Sequence, residues 1–94
     1  LKWLHLSKNK IKSISFKNIP KLTGINLDGN FLRSFFRHTF INLPSLETLA
    51  FNTNKLVFID ENAFENVTNL RKVYMQTNEI ENLNFLKNLP NLRI

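Results

Sequence analysis

The side chains that could carry out chemistry are few in this chain of 94 residues. It has no cysteine and two histidines, His5 and His38, which are expected to lie on different faces. With only two glycines it lacks a Gly-rich phosphate loop, and no carboxylate pair or metal-ligand spacing stands out. Asp60 and Glu61 are adjacent and are expected to be solvated in a turn. The chain is therefore predicted to be non-catalytic and to use no cofactor or metal.

Residue types suited to binding stand at alternate positions in four short segments. In chain order they are Trp3, His5, Asn26, Asp28, Asn52, Lys72, Tyr74 and Gln76, and Arg71 flanks them as a further candidate. If the segments are strands of one sheet, these side chains project from one face. Trp and Tyr at rigid, exposed positions are the types most often found at binding hot spots. We expect a ligand-binding surface there; the alternative is ordinary variation on a face with no core to fill.

An apolar frame ending in asparagine recurs four times and sets the spacing of those side chains. The copies are Leu1-x-x-Leu4-x-Leu6-x-x-Asn9, Leu22-x-x-Ile25-x-Leu27-x-x-Asn30, Leu46-x-x-Leu49-x-Phe51-x-x-Asn54 and Leu70-x-x-Val73-x-Met75-x-x-Asn78. Such a period is typical of a solenoid. The repeats are predicted at 1–21, 22–45, 46–69 and 70–91, with a fifth beginning at 92–94. Because neither end carries a polar cap, we interpret the chain as the middle of a longer protein or as the only ordered part of one.

Apolar residues two apart predict one short strand with a buried face in every repeat. The strands, centred at 3–7, 24–28, 48–52 and 72–76, have the same orientation and must pair in parallel across long connections. The predicted fold is an α/β, right-handed parallel β-solenoid with loops and 3₁₀ or short helical turns on its convex side. The frame asparagines are expected inside the coil, bonded to backbone groups of the turns.

The return side is predicted to close the core with a few apolar residues in each repeat. They are Phe16 and Ile19, then Phe40 and Leu43, then Phe64 and Val67, and finally Leu86 and Leu89. On the opposite, concave face, Gly24 and Ala50 stand between bulky residues of the outer strands, which predicts a trough with an open floor. Exposed-type positions are occupied by Phe31, Phe36 and Phe58, either as a second contact patch or packed against neighbouring repeats.

The net charge of +6 is unevenly distributed. Most of the lysines and arginines precede Glu47, together with a single acid, Asp28. Lys8, Lys10, Lys12, Arg33 and Lys55 follow the strands and are suited to an anionic partner; the alternative is a solvated charged surface. A protein partner is expected first and an anionic glycan second, without nucleic acid. No apolar run approaches the ~20 residues of a membrane span, so no insertion is expected within this segment.

The repeated frame resembles the leucine-rich repeat superfamily over the whole chain. The return segments 38–43 and 62–67, with Phe40 and Phe64, look like the "typical" repeats of secreted and receptor proteins. The fourth looks like a 22-residue form that also occurs in cytosolic scaffolds. Mixed repeats of this kind are common in Toll-type receptors and arthropod immune leucine-rich repeat proteins.

This resemblance implies a non-catalytic protein-recognition module of a secreted or cell-surface protein, in innate immunity or receptor signalling. The alternative is a cytosolic scaffold for constitutive protein assembly. Asn66-Val67-Thr68 is an acceptor sequence for N-glycosylation, expected on the outer side of the coil, and it favours the extracellular interpretation. The ligand, the flanking domains and the oligomeric state stay open.

Overall fold

A parallel sheet of four short strands runs through the whole chain. The computed structural model describes residues 2–93, and the sheet consists of β1 (Trp3–His5), β3 (Gly24–Asn26), β6 (Thr48–Ala50) and β9 (Lys72–Tyr74). The strands are neighbours in chain order, with Trp3 opposite Gly24 and Thr48 opposite Lys72. The predicted parallel β-solenoid is confirmed. Pairing continues past the strand ends, where the Leu6 N–H donates to the Asn26 carbonyl at 2.9 Å.

The return side of the coil is made of shorter strands and one turn of helix. A three-stranded sheet contains β2 (Phe16–Lys17), β5 (Phe40–Ile41) and β8 (Phe64–Glu65), and a two-stranded sheet contains β4 (Ser34–Phe35) and β7 (Phe58–Ile59). In the fourth repeat a 3₁₀ helix, Asn84–Asn88, replaces the return strand. The first repeat has no strand beside β4, because segment 12–15 covers the distance that segment 33–39 covers in the second repeat.

The core lies between these sheets and is filled by the columns of the repeated frame. Its fully buried leucines include Leu22, Leu27, Leu32, Leu46, Leu49, Leu56 and Leu70. Such columns form because every repeat places the same frame position one strand spacing from its predecessor. A row of stacked phenylalanines closes the return side, with the rings of Phe40 and Phe64 nearly parallel at a centroid distance of 4.7 Å.

The fourth repeat has one core residue beyond the predicted leucines. Phe85, which the leucine spacing did not single out, is fully buried and stacks on Phe64 at 5.8 Å, because the 3₁₀ helix turns its ring into the phenylalanine row. Leu89 is buried and Leu86 is half-buried. Leu83 is 50% exposed because it lies with Val73, Met75 and Leu92 at the end of the coil, where no following turn covers it within residues 2–93.

Frame asparagines tie successive turns together by side-chain hydrogen bonds. Asn30 Oδ1 accepts from the backbone N–H groups of Asn9 (2.9 Å) and Ile11 (3.0 Å), and its Nδ2 donates to the carbonyls of Leu6 and Leu27, both at 2.9 Å. Asn54 and Asn78 make the corresponding carbonyl bonds one and two turns later, and their Oδ1 atoms accept one N–H each, from Leu32 and Leu56.

Asn9 departs from the expectation of a buried ladder residue. It is exposed, and its side chain donates only to the Ser7 carbonyl, at 3.1 Å. The ladder bonds of Asn30 reach back to the preceding turn, and no turn precedes Asn9 within residues 2–93.

Candidate recognition surfaces

The concave face of the four-stranded sheet gathers the predicted ligand-binding residues on one side. Trp3 and His5 come from β1, and Lys72 and Tyr74 from β9, the two outer strands. Trp3 is 39% and Tyr74 is 47% exposed. Arg71 is also exposed, one residue before β9. The sheet thus presents two aromatic groups three strand spacings apart, or about 14 Å.

The floor between them is not open at Gly24, so this part of the predicted trough is wrong. The indole of Trp3 lies flat over Gly24, and a Cβ atom at that position would come within 2.2 Å of the ring. The same indole stacks on the imidazole of His5, with centroids 5.6 Å apart and planes inclined by 18°. Ala50 is 8% exposed and floors the other half of the face. The missing side chain of Gly24 therefore leaves space for the indole of Trp3. The contacts with Gly24 and His5 fix the position of this indole.

Amide and carboxylate groups at the strand ends form a second ladder. Asp28 Oδ1 accepts from the Asn52 backbone N–H, and Asn52 Oδ1 accepts from the Gln76 backbone N–H, both at 2.7 Å. Asn26 Oδ1 accepts from the Asp28 N–H at 2.9 Å. These side chains are held by the backbone, so they offer a ligand only their remaining polar atoms, in fixed positions. The spacing of 24 residues between Asp28 and Asn52 is the signal that indicates this role.

Arg93 is a basic residue that the sequence reasoning did not assign to the concave side. Its backbone N–H donates to the Arg71 carbonyl at 2.9 Å, which continues the sheet pairing by one turn. With Glu47, Thr48, Arg71 and Lys72 it lines a depression of about 200 Å³. The end of the face beside β9 is therefore predominantly basic.

A separate basic depression lies beside the turns that follow the strands. Lys12, Phe31, Arg33 and Lys55 line a volume of about 390 Å³, within the size range of small-ligand sites. All four residues are exposed, with Phe31 at 44%. Each of these residues comes one or three positions after a frame asparagine, so they lie on neighbouring turns. The sequence predicted a basic edge there.

Two of the expected surface phenylalanines contact each other across repeats and stay exposed. Phe36 and Phe58 have ring centroids 6.3 Å apart, and their exposures are 64% and 46%. Val57, 39% exposed, precedes Phe58. The sequence left open whether these rings form a contact patch or pack against neighbouring repeats. The structure shows both, because the two rings pack against each other and still expose an apolar surface.

The glycosylation acceptor Asn66 lies on the return side, directly after β8, and is exposed. Its Nδ2 donates to Asn42 Oδ1 at 2.8 Å, and Asn42 Nδ2 donates to Asn18 Oδ1 at 2.7 Å. The three residues have φ values of 54° to 57°, a left-handed conformation that asparagine tolerates better than most residues. Thr68, which completes the acceptor sequence, is exposed as well.

The remaining reactive side chains are dispersed. His38 lies 3.5 Å from Glu65 on the return side, far from His5 in β1. Asp60 Oδ1 accepts from the Asn62 N–H, and Glu61 pairs with a lysine of the 3₁₀ helix, Lys87, at 2.8 Å. Within residues 2–93, no group of three His, Asp or Glu side chains is placed to hold a metal ion. The same part of the chain contains no helix of the length and apolar character needed to span a membrane.

Comparisons with known proteins agree with this architecture. A family model described as "Leucine rich repeat" matches residues 20–80. The chain is 31% identical over 83% of its length to human (Homo sapiens) oligodendrocyte-myelin glycoprotein. It is 35% identical over 98% of its length to bovine (Bos taurus) osteomodulin. It spans only 18% and 21% of the lengths of these two relatives.

Proposed function

Because this chain belongs to the leucine-rich repeat family, we propose that it is part of the recognition surface of an extracellular protein and binds a protein partner on its concave face. The module is non-catalytic in this proposal. A narrower version, in innate immunity or receptor signalling, depends on the resemblance of its Phe40 and Phe64 repeats to those of Toll-type receptors.

The observation that carries the proposal is the fixed position of the exposed Trp3 indole. An exposed indole fixed by Gly24 beneath it and His5 beside it loses little conformational freedom when a partner binds. Tyr74 supplies a second aromatic contact at the other outer strand, beside basic Lys72 and Arg71. Rigid aromatic residues together with arginine are the usual centres of binding energy in protein interfaces.

The extracellular part of the proposal is supported by Asn66. The acceptor sequence is exposed on the return side, so a glycan there would leave the concave face accessible. One of the two relatives is by name a glycoprotein. The alternative, a cytosolic scaffold, would use the same concave face and would leave Asn66 unmodified.

Photocrosslinking in the full-length protein tests the binding face. A photoreactive phenylalanine at Gln76 on the concave side should crosslink a partner on cells or in conditioned medium, whereas the same group at Asn62 on the return side should not. With the captured partner purified, Tyr74→Ala should weaken binding by ~1–3 kcal/mol, which is ~5–150-fold in Kd. The matched control Glu65→Ala should have no effect. Crosslinking from position 62 alone would place the interface on the return side and refute the concave assignment.

A further inference from the structure

The basic depression is built from two rows of side chains that run across successive turns. One row holds Lys10, Phe31 and Lys55, each directly after a frame asparagine, and the other holds Lys12 and Arg33. The Phe31 N–H donates to the Ile11 carbonyl at 2.8 Å, and the Lys55 N–H donates to the Leu32 carbonyl at 3.0 Å. These bonds set the turns side by side, so the rows extend along the axis of the solenoid over about 10 Å. An exposed phenyl ring thus lies among cations on three adjacent turns.

Both rows end in an acidic residue at the fourth turn. Glu79 follows Asn78 where Lys55 follows Asn54, and in the second row neutral Val57 follows Arg33 and Glu81 follows Val57. The Glu79 N–H donates to the Leu56 carbonyl at 2.9 Å, so the register continues unchanged into the acidic turn. The basic surface is therefore a bounded site of three turns and not a uniform charge along the edge. An anionic ligand would be confined to the first three turns by repulsion from the fourth.

The backbone at this site is already occupied. The N–H groups of Phe31 and Lys55 donate to the preceding turn, and the Arg33 carbonyl accepts from Val57 at 2.9 Å. A peptide strand added at an edge needs free backbone donors and acceptors, and this column uses its own between turns. Recognition here depends on charged side chains and one ring. That requirement suits a linear polyanion whose negative groups repeat along its length.

We propose that Lys12, Phe31, Arg33 and Lys55 bind a segment of a sulfated glycan. Sulfates pair with the two lysines and with the guanidinium of Arg33, whose planar donors accept an oxyanion in two hydrogen bonds. The apolar face of a sugar ring packs against the exposed phenyl of Phe31. This site goes beyond the proposed function, because it lies beside the turns and leaves the concave sheet free for a protein partner.

A size-defined heparin octasaccharide is the probe, titrated into the full-length protein by calorimetry. The double variant Arg33→Glu with Lys55→Glu should lower affinity at least tenfold at 0.15 M salt. The matched control Lys17→Glu with Lys21→Glu makes the same charge change at exposed positions outside the depression and should lower affinity less than threefold. The slope of log affinity against log salt should fall by about two in the first variant, by about one for each cation removed. Equal losses in both variants would mean diffuse attraction by net charge and would overturn the site.

The ring is tested by a second matched pair. Phe31→Ala should reduce octasaccharide affinity about fivefold, whereas Phe36→Ala, which also removes an exposed phenyl, should leave it unchanged. Equal effects of the two variants would remove Phe31 from the site. Circular dichroism of each variant confirms that the fold is kept.

Two further experiments distinguish this proposal from a sulfated protein ligand and from a glycan site on the concave face. A tyrosine-sulfated acidic peptide that binds more tightly than the octasaccharide, and is lost in the Arg33 and Lys55 variant, would replace the glycan by a protein ligand. Tyr74→Ala should leave octasaccharide affinity unchanged. A loss with Tyr74→Ala would place the glycan on the concave face and overturn the proposed site, whereas failure of the concave proposal leaves this titration unaffected.

Discussion

Replacing Asn54 by leucine should destabilise the solenoid by an amount that follows from its hydrogen bonds. Asn54 is 7% exposed, and its Oδ1 accepts the Leu32 N–H at 3.1 Å. Leucine has a similar volume but leaves that buried N–H unpaired, at ~1–3 kcal/mol. The carbonyls of Leu27 and Phe51 also lose a donor, but Asn30 and Asn78 still donate to them. We expect a total loss of about 2–5 kcal/mol, since each of these two shared bonds contributes only ~0.5–1 kcal/mol.

The control is Asn52→Leu, two residues earlier. Asn52 is half-buried and accepts only the N–H of exposed Gln76, which water can satisfy, so its loss should stay below ~1 kcal/mol. Both variants are made in the full-length protein and compared by urea denaturation and by hydrogen exchange at the Leu32 amide. Exchange should accelerate at Leu32 only in the Asn54 variant. Equal urea midpoints with an equally protected Leu32 amide would refute the ladder as the origin of stability.

Three further substitutions examine the position of Trp3, the fourth repeat and the acceptor asparagine. Gly24→Ala should displace the indole of Trp3, the single tryptophan of the chain, and shift its emission to longer wavelength; an unchanged spectrum would contradict its contact with Gly24. Phe85→Ala should cost ~3–5 kcal/mol in urea denaturation and Phe36→Ala, at an exposed phenyl, less than ~1 kcal/mol, and equal costs would contradict the burial of Phe85. In protein secreted from eukaryotic cells, Asn66→Gln should abolish a mass increment that a glycosidase removes; a wild-type mass without it would favour the cytosolic scaffold.

The buried columns could be predicted from the sequence because each frame position faces the same environment in every repeat. Leu22, Leu46 and Leu70 are fully buried for this reason, and so is the phenylalanine row at Phe40. The repeated frame no longer predicts every buried residue where the length of the repeat changes. In the 22-residue fourth repeat the leucine spacing points to Leu86 and Leu89, and the 3₁₀ helix buries Phe85 in addition.

The concave face was harder to predict, although strand alternation assigned its residues to the correct side. Alternation predicts from which face of the sheet a side chain projects, but not towards which neighbouring strand it is directed. Trp3 leans over its neighbour because Gly24 has no Cβ atom to prevent it. Asp28 and Asn52 turn towards backbone N–H groups of the next repeat, since a carboxylate or amide two residues before the frame asparagine reaches them. Both outcomes depend on pairs of residues in neighbouring repeats, which a one-repeat pattern does not describe.

Binding specificity in such a solenoid should therefore be sought at exposed positions where equivalent residues of successive repeats differ in type. A column of identical buried residues reports packing, because each member meets the same neighbours. The N–H groups of Phe31, Lys55 and Glu79 all donate to the preceding turn in the same register, and their exposed side chains meet no packing demand, yet these side chains are a ring, a cation and an anion. The charge reversal has no counterpart in the hydrogen bonds beneath it, which keep the same register throughout. A ligand can recognise a feature that the fold does not require, and for this reason we propose the glycan site at Phe31 rather than along the whole basic edge.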